Sequence, residues 1–373
     1  MHIQRHPLSC SSLGTTRELV SFHFGSPGAG PKAYLQASLH ADEVPGMLVA
    51  HHLRAALAEL DASGAIAGEI ILVTAANPIG LAQTDHGVIQ GRFDRDTGIN
   101  FNRGYFNPVP ALKQALIGRL GADARANVAL IRRHAREAVA GWSTKNETEA
   151  LKKCLLGMAI DADVVLDLHC DSEAVMHLYA GTPLAQLVAP LSALLGAHAV
   201  LLATESGEQP FDEACGRVWW ELAEHFAEAA IPPACISVTV ELRGQLDVQH
   251  ATSREDAAAL VRFLQHQGVV RATATMTPIA APTCQPTPLA GVEPITAPHA
   301  GVLVFEARPG QVMRAGDLVA EIVDPVTGVS TALRASVAGV MFARSMQRFV
   351  HAGASVAKIA GTVAFRTGNL LGQ

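Results

Sequence analysis

Ser38-Leu39-His40-Ala41-Asp42-Glu43-Val44-Pro45-Gly46 follows an apolar run, Ala33-Tyr34-Leu35-Gln36-Ala37, and precedes Met47-Leu48-Val49-Ala50-His51-His52-Leu53. The apolar run reads as a buried strand. The segment after it reads as a helix with Pro45 at or near its first turn, a position where a missing N–H is tolerated. The nine residues between them therefore close a strand and open a helix. An imidazole and a carboxylate three residues apart at such a junction can grip one metal ion.

Working outward from this junction, residues from about Arg17 to Gly25 alternate as an opening strand would, and Gly68–Ala76 is a second buried strand closed by Asn77-Pro78. Residues 79–110 show little periodicity and much Gly, Asp, Asn and Arg; a loop of that length inside a compact domain is more often functional than idle. Helical patterns occupy about 110–140 and 146–160. Asp163-Val164-Val165-Leu166-Asp167-Leu168-His169 is another apolar strand ending in a histidine. Further strands are expected at 175–180, 199–203 and 235–242, with helices at about 183–195, 213–229 and 253–267. Strands alternating with helices indicate an α/β fold with a largely parallel or mixed sheet.

The composition then changes. Pro278, Pro282, Pro286, Pro288 and Pro294 mark residues 275–294 as a semi-rigid linker between a first domain, 1–274, and a tail, 295–373. The tail holds short Gly-punctuated strands and an internal duplication: Ala297-Pro298-His299-Ala300-Gly301-Val302 answers to Ala335-Ser336-Val337-Ala338-Gly339-Val340. It looks like the barrel-sandwich hybrid of biotinyl and lipoyl carrier domains. A carrier needs a lysine at its hairpin tip, and Asp324-Pro325-Val326-Thr327-Gly328 has none; Lys358 is the single lysine after the linker. The tail is accordingly expected to be structural, oligomerising or partly covering a site.

Across 373 residues, 49% hydrophobic and 17% charged, a sizeable core is available. A net charge of -6 without a basic block argues against nucleic acid as a partner. No apolar run reaches the length of a membrane span, and the N-terminus lacks a signal-peptide core. Six scattered cysteines without CxxC spacing are expected as reduced thiols in a cytoplasmic protein. The Gly-rich tail and Ala-rich surface are compatible with a homo-oligomer.

Three H-x-x-E pairs occur, and His134/Glu137 and His225/Glu228 lie in amphipathic helical patterns where such spacing marks a solvated face. His40/Glu43 differs in lying at a strand end, where an α/β crevice opens. His169 ends a second strand, and a period of two puts Asp167 on its face to orient the ring. His40, Glu43 and His169 together make the two-His, one-Glu set that leaves a zinc position open, as in carboxypeptidase A and thermolysin. His86, in the long loop, is a residue that could contact substrate.

Three stretches in order, His40–Gly46 (H-x-D-E-x-x-G), Asn100-Phe101-Asn102-Arg103 and Val240-Glu241-Leu242-Arg243-Gly244, with His169 between the second and third, resemble the succinylglutamate desuccinylase/aspartoacylase family. The resemblance covers about residues 15–270 and implies a zinc carboxypeptidase-like mixed sheet flanked by helices. It implies one Zn²⁺ per chain on His40, Glu43 and His169, with Glu241 passing the proton of water to the leaving amine. Asn102 and Arg103 would clamp a substrate carboxylate, and Arg95 or Arg92 would stabilise the oxyanion, the spacing leaving both open. Asn100 stands where the family often has Asp, which weakens the support expected for a metal-bound histidine. The implied activity is removal of an acyl group from a small carboxylated N-acyl amino acid. Its rivals are a zinc carboxypeptidase acting on short peptides and a non-catalytic binding protein built around the tail.

Overall fold

The computed structural model describes residues 1–9, 12–272 and 277–371. Strands β1 (His2–Pro7), β2 (Glu18–Gly25) and β3 (Lys32–Ala37) open the chain, followed by α1 (Pro45–Ala62) and β4 (Glu69–Val73). A single-turn α2 (Pro78–Leu81) and a small hairpin, β5 (Thr84–Asp85) with β6 (Val88–Ile89), lie in the long loop. Helices α3 (Val109–Ala115), α4 (Ala124–Ala140) and α5 (Glu147–Ala159) lead to β7 (Val164–Asp171), β8 (Glu173–Ala174) and β9 (His177–Gly181). Then come α6 (Ala185–Leu195), β10 (Ala199–Ala203), α7 (Phe211–His225), β11 (Ile236–Gly244) and α8 (His250–His266).

Among the described residues the main sheet runs β1-β2-β4-β3-β7-β11-β9-β10 and ends on β12 (Thr287–Pro288). It is mixed: β4, β3, β7 and β11 are mutually parallel, whereas β2 and β9 run against their β4 and β11 neighbours. Alternation within each strand feeds two cores. Ala33, Leu35 and Ala37 of β3 join α1, α6 and α8 on one face, while Tyr34 joins α3, α4, α5 and α7 on the other. In β7, Val164, Leu166 and Leu168 face the first core, which leaves Val165, Asp167, His169 and Asp171 to the opposite face. Strand β3 has β4 on one side and β7 on the other. The chain leaves β3 in one direction and returns on its other flank, so a crevice opens at the carboxyl ends of β3 and β7.

Two expectations are corrected. The 110–140 pattern is two helices, because residues 117–123 carry Gly118 and Gly121, and Asp123 restarts the chain as a cap accepting from the N–H of Ala126 at 3.0 Å. The end of the Pro-rich stretch is built into structure: β12 adds to the main sheet beside β10, with Pro288 on its outer edge. The expected boundary at 274/275 lies outside the described residues, as does Cys10; the five described cysteines are free. No described helix is long and apolar enough to cross a membrane.

The tail forms two four-stranded layers from β13 (Val292–Thr296), β14 (Gly301–Phe305), β15 (Val312–Met313), β16 (Leu318–Val323), β17 (Ser330–Arg334), β18 (Gly339–Arg344), β19 (Phe349–Val350) and β20 (Ser355–Gly361). One layer is β13-β20-β18-β15 and the other β17-β16-β14-β19, so each half of the duplication lends strands to both. The tail docks on the main sheet. Phe342 and Ala360 pack against Tyr179, Leu201 and Leu289, and β18 pairs with β8.

Candidate metal centre and cavity

His40 lies just beyond β3, on a loop pinned from behind. Asn77 Nδ2 donates to the Leu39 carbonyl at 2.8 Å, and the Ala41 N–H donates to the Gly91 carbonyl at 3.0 Å. Gly91 permits this approach, since a Cβ there would collide with the Asp42 nitrogen. Gly46 does the same for α1, where a Cβ would stand 2.9 Å from the Leu168 carbonyl oxygen. Ser38, buried with φ 64, turns the chain out of the strand in a conformation costly to a side-chain-bearing residue.

This turn delivers His40 and Glu43 to His169. Glu43 Oε1 lies 2.9 Å from His40 Nδ1 and Oε2 lies 2.7 Å from His169 Nδ1. All three residues are buried, and one ligand atom from each falls within 4.8 Å of the others. The rear nitrogens are occupied: His40 Nε2 donates to Asn100 Oδ1 at 2.8 Å, and His169 Nε2 donates to Asp167 Oδ2 at 2.9 Å. Asp167 in turn accepts from Gln36 Nε2 at 2.9 Å, and Gln36 accepts from the Tyr34 hydroxyl at 2.8 Å. Both imidazoles thus face Glu43 through Nδ1 with their other nitrogen fixed, the arrangement that prepares a histidine for a metal.

The charges are interlocked. Burial works against ionising Glu43, but His40 and His169 hold its carboxyl well below the usual range. Burial likewise opposes a charge on His169, yet Asp167 and Glu43 raise its pKa well above that of a free imidazole. Burial, with Arg92 beside it, lowers His40.

Glu241 is the register partner of His169 across the β7/β11 pair. Its Oε2 is buried without a hydrogen-bond partner among the described residues, and burial together with the charge of Glu43 pushes the carboxyl up to about 8. Just past it the ladder slips between Glu241 and Gly244, and Arg243 adopts φ 65 and pairs with Asp256. Arg92 Nη1 lies 3.2 Å from Glu43 Oε1. Arg95 lies apart: its Nη1 donates to the Thr84 carbonyl at 3.3 Å, its Nη2 lies 3.8 Å from Asp85, and it does not line the cavity. Of the two arginines that spacing left open, the fold brings Arg92 to the cluster. His86 sits on the exposed hairpin, away from the cavity, because the β5–β6 turn points into solvent.

Asn102 and Arg103 line the same cavity, of about 570 Å³. Asn102 Oδ1 accepts from the Phe211 N–H at 2.8 Å, and Arg103 Nη1 donates to the Asn102 carbonyl at 2.7 Å. Lys152 braces this loop from beneath, donating to the carbonyls of Asn100 (3.2 Å) and Arg103 (2.6 Å). Several cavity residues were not assigned to the site from the sequence: Asp171, Asp212, Glu213 and, from the tail, Lys358, whose Nζ meets Asp171 Oδ2 at 2.5 Å. Asp171 was legible on the period-two face of Asp167 and His169. The others depend on tertiary approach.

A mixed sheet between helical layers, with a buried two-His, one-Glu cluster in the crevice at its strand ends, defines an α/β protein with a candidate metal centre. The chain belongs to the succinylglutamate desuccinylase/aspartoacylase family, whose catalytic-domain model matches residues 29–267. Among solved structures, a protein of that family from Shewanella amazonensis is similar over 96% of this chain and 98% of its own, at 26% identity and a TM-score of 0.83. One from Shewanella frigidimarina matches over 96% and 97% at 23% identity and a TM-score of 0.81. The product-bound ectoine utilization protein EutE (DoeB) of Ruegeria pomeroyi shares the fold over 96% of this chain and 93% of its own, at 16% identity and a TM-score of 0.67. No curated protein sequence matches significantly.

Proposed function

We propose that this protein is a zinc-dependent amidohydrolase that removes an acyl group from a small carboxylate-bearing N-acyl amino acid. The observation that carries this reading is the convergence of His40, Glu43 and His169 beside Glu241. The donor set fits zinc, because two imidazole nitrogens and a carboxylate share one buried point and the rear nitrogen of each ring is already bonded. Bound there, Zn²⁺ would supply Lewis acidity and ease the deprotonation of water.

The chain supplies the rest. Glu241 Oε2, unpartnered and facing the cavity, takes the proton of the attacking water and returns it to the leaving amine. Arg92, beside Glu43, offers its guanidinium to the oxygen on which charge develops. Arg103, held by the Asn102 carbonyl and by Lys152 beneath the loop, meets the substrate carboxylate, with Asn102 holding the loop to α7. The tail lends Phe342, Ser355, Lys358 and Leu370 to the cavity lining, and a cavity of about 570 Å³ suits a small substrate.

Glu241→Gln tests the mechanism. Turnover of acyl amino acids should fall by about 10²–10⁴-fold while zinc content stays at that of the parent protein. Full activity in this variant would defeat the assignment.

A further inference from the structure

Besides the metal cluster, the cavity has a second polar wall at the first turn of α7. The Asn102–Phe211 bond is continued by the N–H groups of Gly104 and Tyr105, which donate to the carbonyls of Glu208 (2.6 Å) and Gln209 (3.2 Å). Residues 102–105 therefore lie alongside 208–211. Arg103 and Asp212 each stand one residue beyond a bonded pair, and both side chains line the cavity.

Asp212 is 7% exposed and makes no ion pair among the described residues. Ser206 Oγ and Arg103 Nε, buried in residues that line the same cavity, have no hydrogen-bond partner among the described residues, although Arg103 Nε lies 3.8 Å from Glu208 Oε2. The opposite charges that act on the Asp212 carboxyl, those of Arg103 and His169, form no ion pair with it among the described residues, so a substrate cation would be its direct counter-charge. Burial and the neighbouring Glu213 push the Asp212 carboxyl up to about 7. The wall is thus a cation or donor receptor directly beside the arginine assigned to a carboxylate.

Building on the deacylase reading, we propose that Asp212 determines specificity by receiving a free α-ammonium group while Arg103 receives the adjoining α-carboxylate. The preferred substrate is then a diamino acid acylated on its side-chain nitrogen. In an amino-acid zwitterion one tetrahedral carbon separates the two charges, which calls for an anion receptor and a cation receptor side by side. A substrate acylated on its α-nitrogen has no such cation and leaves Asp212 unmatched.

The test pairs Nδ-acetylornithine with 5-acetamidopentanoate, which lacks only the α-ammonium group. Alongside their hydrolysis, calorimetry measures binding of ornithine and 5-aminopentanoate to the zinc-loaded protein. The α-ammonium member of each pair should be favoured by about 10-fold or more, as expected of one charge-assisted hydrogen bond. Asp212→Asn should bring both ratios close to one, and Asp212→Glu should restore part of them. A merely structural role would lower both members of a pair together and leave the ratios unchanged, which overturns the proposal, as does equal treatment of the pairs by the parent protein. Equal hydrolysis of both amides would remove the subsite and leave the deacylase standing. No hydrolysis, with ornithine still bound more tightly, would remove the deacylase and leave the subsite.

Discussion

Asp167 and Asn100 do the same job for two different histidines, and they differ by a full charge. Asp167 holds His169 through a carboxylate, whereas Asn100 holds His40 through an amide oxygen. Asp167→Asn should therefore weaken zinc binding by about 10- to 100-fold, and Asn100→Asp should tighten it, as read by competition with a chromogenic chelator. The same contacts predict a pH dependence. His169 is held protonated above the ordinary imidazole range in the metal-free protein, while a metal ligand must be neutral. Zinc uptake near neutral pH should thus release protons and strengthen as pH rises; calorimetry in buffers of different ionisation enthalpy would count them. His40, Glu43 and His169 were legible in the sequence because they lie at or just past the ends of apolar strands, where a polar side chain needs a reason, and Glu241 through the family resemblance of Val240–Gly244. Asp212 was not, since an acid in the first turn of an amphipathic helix is ordinary. Lys358 was not, since it reaches Asp171 across 187 residues of chain.

Among the elements, β9 carries an unusual burden: His177 is fully buried, with Nδ1 donating to the Val175 carbonyl at 2.8 Å and Nε2 without a hydrogen-bond partner among the described residues. Burial lowers its pKa to about 4. The unfolded chain, with an ordinary imidazole near 6.5, binds the extra proton first as pH falls. The stability His177 contributes by staying neutral is therefore complete above about pH 6.5 and lost progressively toward pH 4, on the order of 3 kcal/mol. His177→Gln should flatten that part of a urea-unfolding series against pH; an unchanged slope would contradict the burial argument. Strands β3, β4, β7 and β11 were readable because both their faces are covered, which makes their sequences near-continuous apolar runs. Strand β1 was not, because it lies exposed on the sheet edge and its residues, His2-Ile3-Gln4-Arg5-His6-Pro7, carry no buried alternation.

At the scale of the whole molecule, the tail is a wall of the cavity as well as a module with its own core. Phe342 is fully buried between the two, its ring 4.8 Å from that of His177. Phe342→Ala should cost about 3–5 kcal/mol by denaturant unfolding and also impair turnover, because the same side chain lines the cavity. The duplication and barrel-like character of the tail could be read from its repeated A-x-x-A-G-V segments. Its seat on β8 and β9 could not, since ion pairs such as Arg344 and Arg348 with Glu173 join residues that no local pattern relates.

On the proposed mechanism, the cluster of His40, Glu43 and His169 hydrolyses amides only when it holds zinc. The direct measurement is a zinc titration of chelator-stripped protein, following hydrolysis of N-acyl amino acids at each addition. Activity should be absent at the start, rise in proportion to added zinc and level off at one equivalent per chain. Undiminished hydrolysis in the stripped protein, or none once the metal is bound, would contradict the account.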